Sequence, residues 1–140
     1  MIIALRISGI VETSKKINEA LDRLRLRRKY SAVLVKPTPE NMKLLKHLRD
    51  YIAYGDISKE TLVHLLQKRA QPIKSGAKID AKIVADALET KSLKDFGLKP
   101  FFRLHPPRGG IDSKLHFGES KKAVLGDNKD KINDLIRRML

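Results

Sequence analysis

Apolar residues in this chain fall into short clusters, and the spacing within each cluster predicts an element. Ile2-Ile3-Ala4-Leu5-Arg6-Ile7 is short, apolar and rich in β-branched residues, which predicts a buried strand ending at Gly9. Thr13 or Ser14 then caps a helix whose apolar stripe is Ile17, Leu21 and Leu24. Ala32-Val33-Leu34-Val35 predicts a second strand. Pro37-Thr38-Pro39 stops it and opens a helix carrying Met42, Leu45 and Leu48, with Leu44 beside them. Tyr51-Ile52-Ala53-Tyr54-Gly55 predicts a third strand. Residues 1–56 therefore read β-α-β-α-β, most economically with helices on one face of a small sheet. The pattern leaves strand order open.

The remaining residues, 57–140, read as an extension, mainly helical and irregular. Ser58 begins a helix with Leu62, Leu65 and Leu66 on one side, and Pro72 breaks it. Ile79, Ile83 and Leu88, with Val84 and Ala87, predict a further helix. Residues 96–128 hold many of the glycines and prolines, and little periodicity. They predict irregular chain with one strand at Phe101-Phe102-Arg103-Leu104, ordered by partners or packing. A last helix begins near Asp127 or Lys129 and carries Ile132, Leu135, Ile136 and Met139. Arg137 and Arg138 end it, where cations suit the helix dipole.

Charge changes the picture most. Thirty Lys and Arg against sixteen Asp and Glu give a net charge of +14 in 140 residues. Such an excess costs stability through self-repulsion and points to a polyanionic partner. Residues 1–56 carry twelve basic and six acidic residues, 57–98 eight and five, and 99–140 ten and five. The ends are the more basic parts, and the middle is the candidate for facing solvent or protein. There are no cysteines, so disulfides and thiolate metal sites are excluded. No stretch reads as a signal peptide or membrane span, which leads us to expect a soluble, intracellular protein.

Two basic regions are candidate RNA contacts. Arg23, Arg25, Arg27, Arg28 and Lys29 lie where the first helix gives way to a turn, with no acid among them. Arginine forks grip phosphate in two places, and this density favours that role over a merely solvated helix end. The second region is His105-Pro106-Pro107-Arg108-Gly109-Gly110. Prolines stiffen it, and glycines let backbone approach a ligand closely. It presents Arg103, His105 and Arg108 in a way suited to folded RNA, which proteins recognise largely by shape. Lys114, His116, Lys121 and Lys122 add charge to the following loop, and Arg137 and Arg138 either touch phosphate or only cap their helix. Arg49, Lys68, Arg69 and Tyr54 complete the candidates. Tyr51 and Tyr54, beside Gly55, are spaced to stack on a base, although in a strand at least one belongs to the core.

Catalysis finds little support. His-Glu-x-x-His, phosphate-loop and Gly-x-Ser-x-Gly signatures are missing. A metal or nuclease pair of His105 and His116 around Asp112 lacks a second acidic cluster. A free-standing nucleic-acid-binding regulator is the alternative, without helix-turn-helix or zinc-finger spacing to support it.

Several segments resemble the large-subunit ribosomal protein family numbered thirty, in its long archaeal and eukaryotic form (protein seven in eukaryotes). Leu24-Arg25-Leu26-Arg27-Arg28 resembles the basic turn after the family's first helix. Pro37-Thr38-Pro39-Glu40-Asn41-Met42, followed by Tyr51–Gly55, resembles its next helix and strand. Phe102–Gly110 and Ile132–Met139 resemble the extension that short bacterial members lack. The lack of a long basic N-terminal tail fits the archaeal form. The resemblance implies an α+β fold with a three-stranded antiparallel sheet and two helices. It implies binding to large-subunit ribosomal RNA with the small five-S RNA nearby, neighbouring ribosomal proteins as further partners, and neither catalysis nor a cofactor. Lys114–Lys122 departs from the glycine- and basic-rich versions of the family.

Overall fold

The computed structural model describes residues 1–11, 13–74 and 80–140. The first half follows the expected order: β1 (Ile2–Arg6), α1 (Lys15–Arg23), β2 (Ser31–Val35), α2 (Pro39–His47) and β3 (Ile52–Asp56). Three side-chain hydroxyls start the early helices. Ser14 accepts from the Ile17 N–H, Thr38 from Asn41 and Ser58 from Thr61, each satisfying a donor that the first helical turn leaves free. The last of these opens α3 (Lys59–Arg69), and α4 (Ala81–Ala87) follows. The chain continues through β4 (Phe102–Arg103), β5 (Asp112–His116), β6 (Ala123–Asp127) and α5 (Ile132–Met139).

Among the described residues, six strands form one sheet in the order β4-β2-β1-β3-β6-β5. Its centre is the antiparallel trio β2-β1-β3, with Ala4 opposite both Val33 and Tyr54. The extension widens both edges. Strand β4 pairs antiparallel with β2, setting Arg103 opposite Ser31. Strand β6 runs parallel to β3, and β5 parallel to β6. Only six residues return the chain from β5 to β6. They suffice, because a five-residue strand rises about 16 Å and six extended residues reach about 20 Å.

Two apolar layers cover the sheet. On one face Ile2, Ala4, Val33, Ile52 and Tyr54 pack with Leu21 of α1 and Leu45 of α2. On the other, Ile3, Leu5, Ala32 and Ala53 pack with residues of α3, α4 and α5, among them Leu65, Val84 and Ile136. The one-face arrangement thus holds for α1 and α2, while the extension covers the second face. Strand β1 is buried on both sides, which is why it reads as a continuous apolar run rather than an alternating one.

The expected three-stranded antiparallel centre is present, and the extension adds three strands to it: β4, where a strand was expected, and β5 and β6, which lie within the stretch read as irregular. Strand β6 is short, carries a glycine near its end and pairs in parallel with distant chain, so it leaves little local periodicity. The helix after Pro72 buries Ala81, Val84, Ala85 and Leu88, while Ile83 is 61% exposed. Asp80 caps it, and that start rotates the buried stripe away from Ile83. The expected contribution of Ile79 lies outside the described residues.

Gly55 does not serve a base-stacking surface. A Cβ there would lie 2.9 Å from Ile132 Cβ and closer still to the Lys129 carbonyl. The bare backbone is what lets the start of α5 sit against β3.

Candidate nucleic-acid interface

The arginine turn is built on buried anchors. Leu21 and Leu26 are fully buried. After α1 the chain reverses through Arg25, whose φ is +65°. Its N–H reaches the Asp22 carbonyl at 3.0 Å, and the Leu26 N–H reaches Leu21 at 2.9 Å. These are the bonds of a helix C-terminus closed by a left-handed residue, a place usually held by glycine. Arg23, Arg25, Arg27, Arg28 and Lys29 are all exposed. Among the described residues, none of the five lies within ion-pair distance of a carboxylate.

A sixth arginine holds this turn from beneath. Arg6 is fully buried. Its guanidinium donates to the Leu26 carbonyl at 2.7 Å, to Ser8 at 2.8 Å, to Asn18 Oδ1 at 2.7 Å and, more weakly, to Arg27 at 3.4 Å. A buried cation is tolerated only when so bonded. Burial pulls its pKa down, and nearby Asp22 partly offsets this. Sequence reading placed Arg6 only as one position of the first predicted strand. The available signal was a cation within a strand buried on both faces.

Pairing of β4 with β2 carries Arg103 to the same place. Arg25, Arg27, Arg28, Ser31, Phe101 and Arg103 line one recess of about 200 Å³. The Arg103 guanidinium also sits 5.6 Å from the Phe101 ring centre, a spacing that allows a cation–π contact. Arg103, read from sequence as part of the extended loop, therefore joins the helix-turn cluster.

The rest of the loop is ordered by the protein itself. The N–H groups of His105 and Arg108 donate to the Met139 and Arg138 carbonyls at 3.0 and 3.1 Å, satisfying acceptors at the end of α5. Arg138 returns two bonds, from Nε to the Arg108 carbonyl at 2.8 Å and from its terminal nitrogen to Gly110. Lys122 Nζ donates to the Gly109 carbonyl at 2.9 Å. Gly109 and Gly110 take φ values of +83° and +75°, which side chains disfavour. Arg138 and Lys122 thus hold the loop through their side chains, whereas the side chains of His105, Arg108, Lys114, Lys121 and Arg137 take no part in these bonds. Arg137 stands 4.0 Å from Asp134.

Several candidates are placed elsewhere. His116 Nε2 lies 2.9 Å from Asp50, and Asp112 accepts from Ser120 at 2.5 Å, so the proposed nuclease set is otherwise engaged. Among the described residues, no cluster of three metal-ligating side chains occurs. Tyr54 is 4% exposed and belongs to the core, so its ring offers no face to a base. Burial pushes its pKa up, Asp127 adds to the rise, and Arg49 opposes it. Lys68 and Arg69 lie in the last turn of α3, and Arg49 lies just beyond α2. Sequence reading did not single out Lys46 or Phe117, which line a recess with Arg49 and His116. Among the described residues, no helix is long and apolar enough to cross a membrane.

These features define a class: a small, strongly basic α+β protein that displays arginines on a rigid turn and a braced loop. A family model described as ribosomal protein L30p/L7e matches residues 2–52. The chain is 36% identical to the large ribosomal subunit protein uL30 of Archaeoglobus fulgidus, covering 99% of both chains. It is 36% identical to the protein of that name from Pyrobaculum arsenaticum, covering 97% of this chain and 92% of the relative. It is 34% identical to that of Methanococcus vannielii, over 97% of each. The chain belongs to the L30p/L7e ribosomal protein family.

Proposed function

We propose that this chain is a structural, non-enzymatic component of the large ribosomal subunit in the cytoplasm, and that it binds and stabilises folded ribosomal RNA. The relatives' names support the subunit assignment. The observation that carries the RNA-binding mode is the recess shared by Arg25, Arg27, Arg28 and Arg103. Four guanidinium groups held together, with no carboxylate within ion-pair distance among the described residues, repel one another, and phosphate relieves that repulsion. The mechanism is charge neutralisation with release of counterions. The braced loop, presenting His105 and Arg108, adds shape recognition of folded RNA. In this reading residues 1–56 supply the central grip. Residues 57–140 supply the loop, the flanking strands and surfaces for neighbouring ribosomal proteins. The five-S RNA is the proposed second RNA within reach.

The test is the salt dependence of binding to extracted large-subunit RNA, with five-S RNA titrated separately. Replacing Arg25, Arg27 and Arg28 together by Ala should lower the slope of log K against log salt by about two to three, at ~0.7 to 0.9 for each phosphate no longer neutralised. An unchanged slope would remove these arginines from the interface. Absence of five-S binding at a salt concentration where large-subunit RNA binds would remove that partner.

A further inference from the structure

We propose that the recess between the end of α2 and the β6–β5 edge is a subsite for a single unpaired RNA nucleotide, its base against Phe117 and its phosphate on Lys46 and Arg49. The proposal rests on the reading that the chain binds RNA, and it names a second contact far from the arginine turn. Strands β4 and β5 are opposite edges of the sheet. Five strand spacings of ~4.8 Å put them roughly 24 Å apart.

The recess exists because the sheet outgrows its helices. Helices α1 and α2 pack over β2, β1 and β3, and the extension then adds β6 and β5 beyond them. The resulting hollow is about 450 Å³, lined by Lys46, Arg49, His116, Phe117, Leu125 and Asp127 among others. That is room for a base with its sugar.

Its chemistry is mixed in the way a nucleotide requires. Phe117 is 41% exposed and belongs to neither apolar layer, so the fold gains little from its ring. Its backbone is nonetheless fixed, because its N–H donates to the Leu125 carbonyl at 2.8 Å. The contact of His116 Nε2 with the Asp50 carboxylate, at 2.9 Å, joins β5 to the chain just after α2. A large ring held on a fixed backbone and left open is a stacking platform, and bases of any sequence stack on such rings. Lys46 and Arg49 are exposed, and among the described residues neither lies within ion-pair distance of a carboxylate. Asp127 repels a second phosphate but accepts the N–H groups of a base edge. That charge pattern favours a base inside and phosphate at the Lys46–Arg49 rim. Unstacked bases in loops and bulges are the RNA feature that proteins most often take up this way.

The experiment uses the full chain bound to extracted large-subunit RNA. Short-wavelength ultraviolet crosslinking followed by peptide mapping should place a nucleotide on the segment containing Phe117. Phe117→Ala should weaken binding about tenfold and leave the salt slope unchanged, since stacking releases no counterion, while Phe117→Trp should restore affinity. Lys46→Ala with Arg49→Ala should lower the slope by about 0.7 to 0.9, the share of the one phosphate they hold. If nucleotides attach near Arg25–Arg28 but not at Phe117, and Phe117→Ala binds as tightly as the parent, the subsite is refuted and the arginine grip stands. If neither region crosslinks and no variant changes binding, both readings fall. Because Phe117 lies outside the core, thermal melts of its variants should match the parent, which separates a weakened RNA interaction from a damaged fold.

Discussion

Arg25 is the residue at which structure and function diverge most openly. Its φ of +65° is a conformation that glycine takes freely and other residues adopt at a cost on the order of 1 kcal/mol. The fold by itself would favour glycine there. Keeping a long cation at a left-handed position is explained if the charge is needed outside the fold. Arg25→Gly should therefore leave the melting temperature unchanged or raise it by a few degrees. The salt slope of RNA binding should fall by ~0.7 to 0.9. A clear drop in melting temperature with an unchanged slope would reverse this assignment. Arg6 makes the opposite case. Its charge is buried and its donors end on the Leu26, Ser8 and Arg27 carbonyls and on Asn18, so what it does directly is hold the turn. At this scale the sequence displayed the exposed arginines, because an acid-free run is visible in one dimension. It hid Arg6, because the Leu26 and Arg27 carbonyls that satisfy that side chain lie 20 and 21 residues away.

Among elements, those with local signals were legible. Strands β1, β2 and β3 and helices α1, α2, α3 and α5 follow their apolar spacing, with Ser14, Thr38 and Ser58 as caps. Strands β5 and β6 were not, because their pairing is with each other across an irregular register and with β3 far earlier in the chain. Nothing in Ala123-Val124-Leu125-Gly126 distinguishes a strand from an apolar turn until a neighbour supplies its hydrogen bonds. The seam between β3 and α5 was also invisible, and Gly55 is its key. Gly55→Ala would force the Lys129 carbonyl and Ile132 outward. Overpacking of this kind costs about 1 to 3 kcal/mol, which should appear as a lower midpoint in urea with little change in the salt slope at temperatures where the variant is folded. A variant as stable as the parent would mean that α5 shifts without cost.

Across the whole molecule, the two basic regions expected from sequence are regrouped. Arg103 joins the turn, while Arg138 and Lys122 are engaged in bracing the loop. The division at residue 56 is crossed by a single sheet. Ile3, Leu5 and Ile7 of the first segment are covered by the extension, and each such side chain contributes ~1.5 to 3 kcal/mol by burial. Three of them together approach the ~5 to 15 kcal/mol net stability of a small domain. A chain ending at Asp56 should therefore self-associate, eluting from a sizing column well ahead of a monomer. Elution as a monomer with a well-dispersed spectrum would show that the first segment stands alone.

Taken by itself, the sequence determined the polyanionic partner, the β-α-β-α-β order of the first half and the acid-free arginine run. Charge balance, periodicity and caps are local properties that survive without a fold. Only the tertiary structure decided which cations act together, which are consumed in holding backbone, and where the sheet outgrows its covering helices. Those outcomes depend on contacts between residues far apart in the chain, such as Arg103 with Ser31 and Gly55 with Ile132. No pattern of neighbouring residues encodes them.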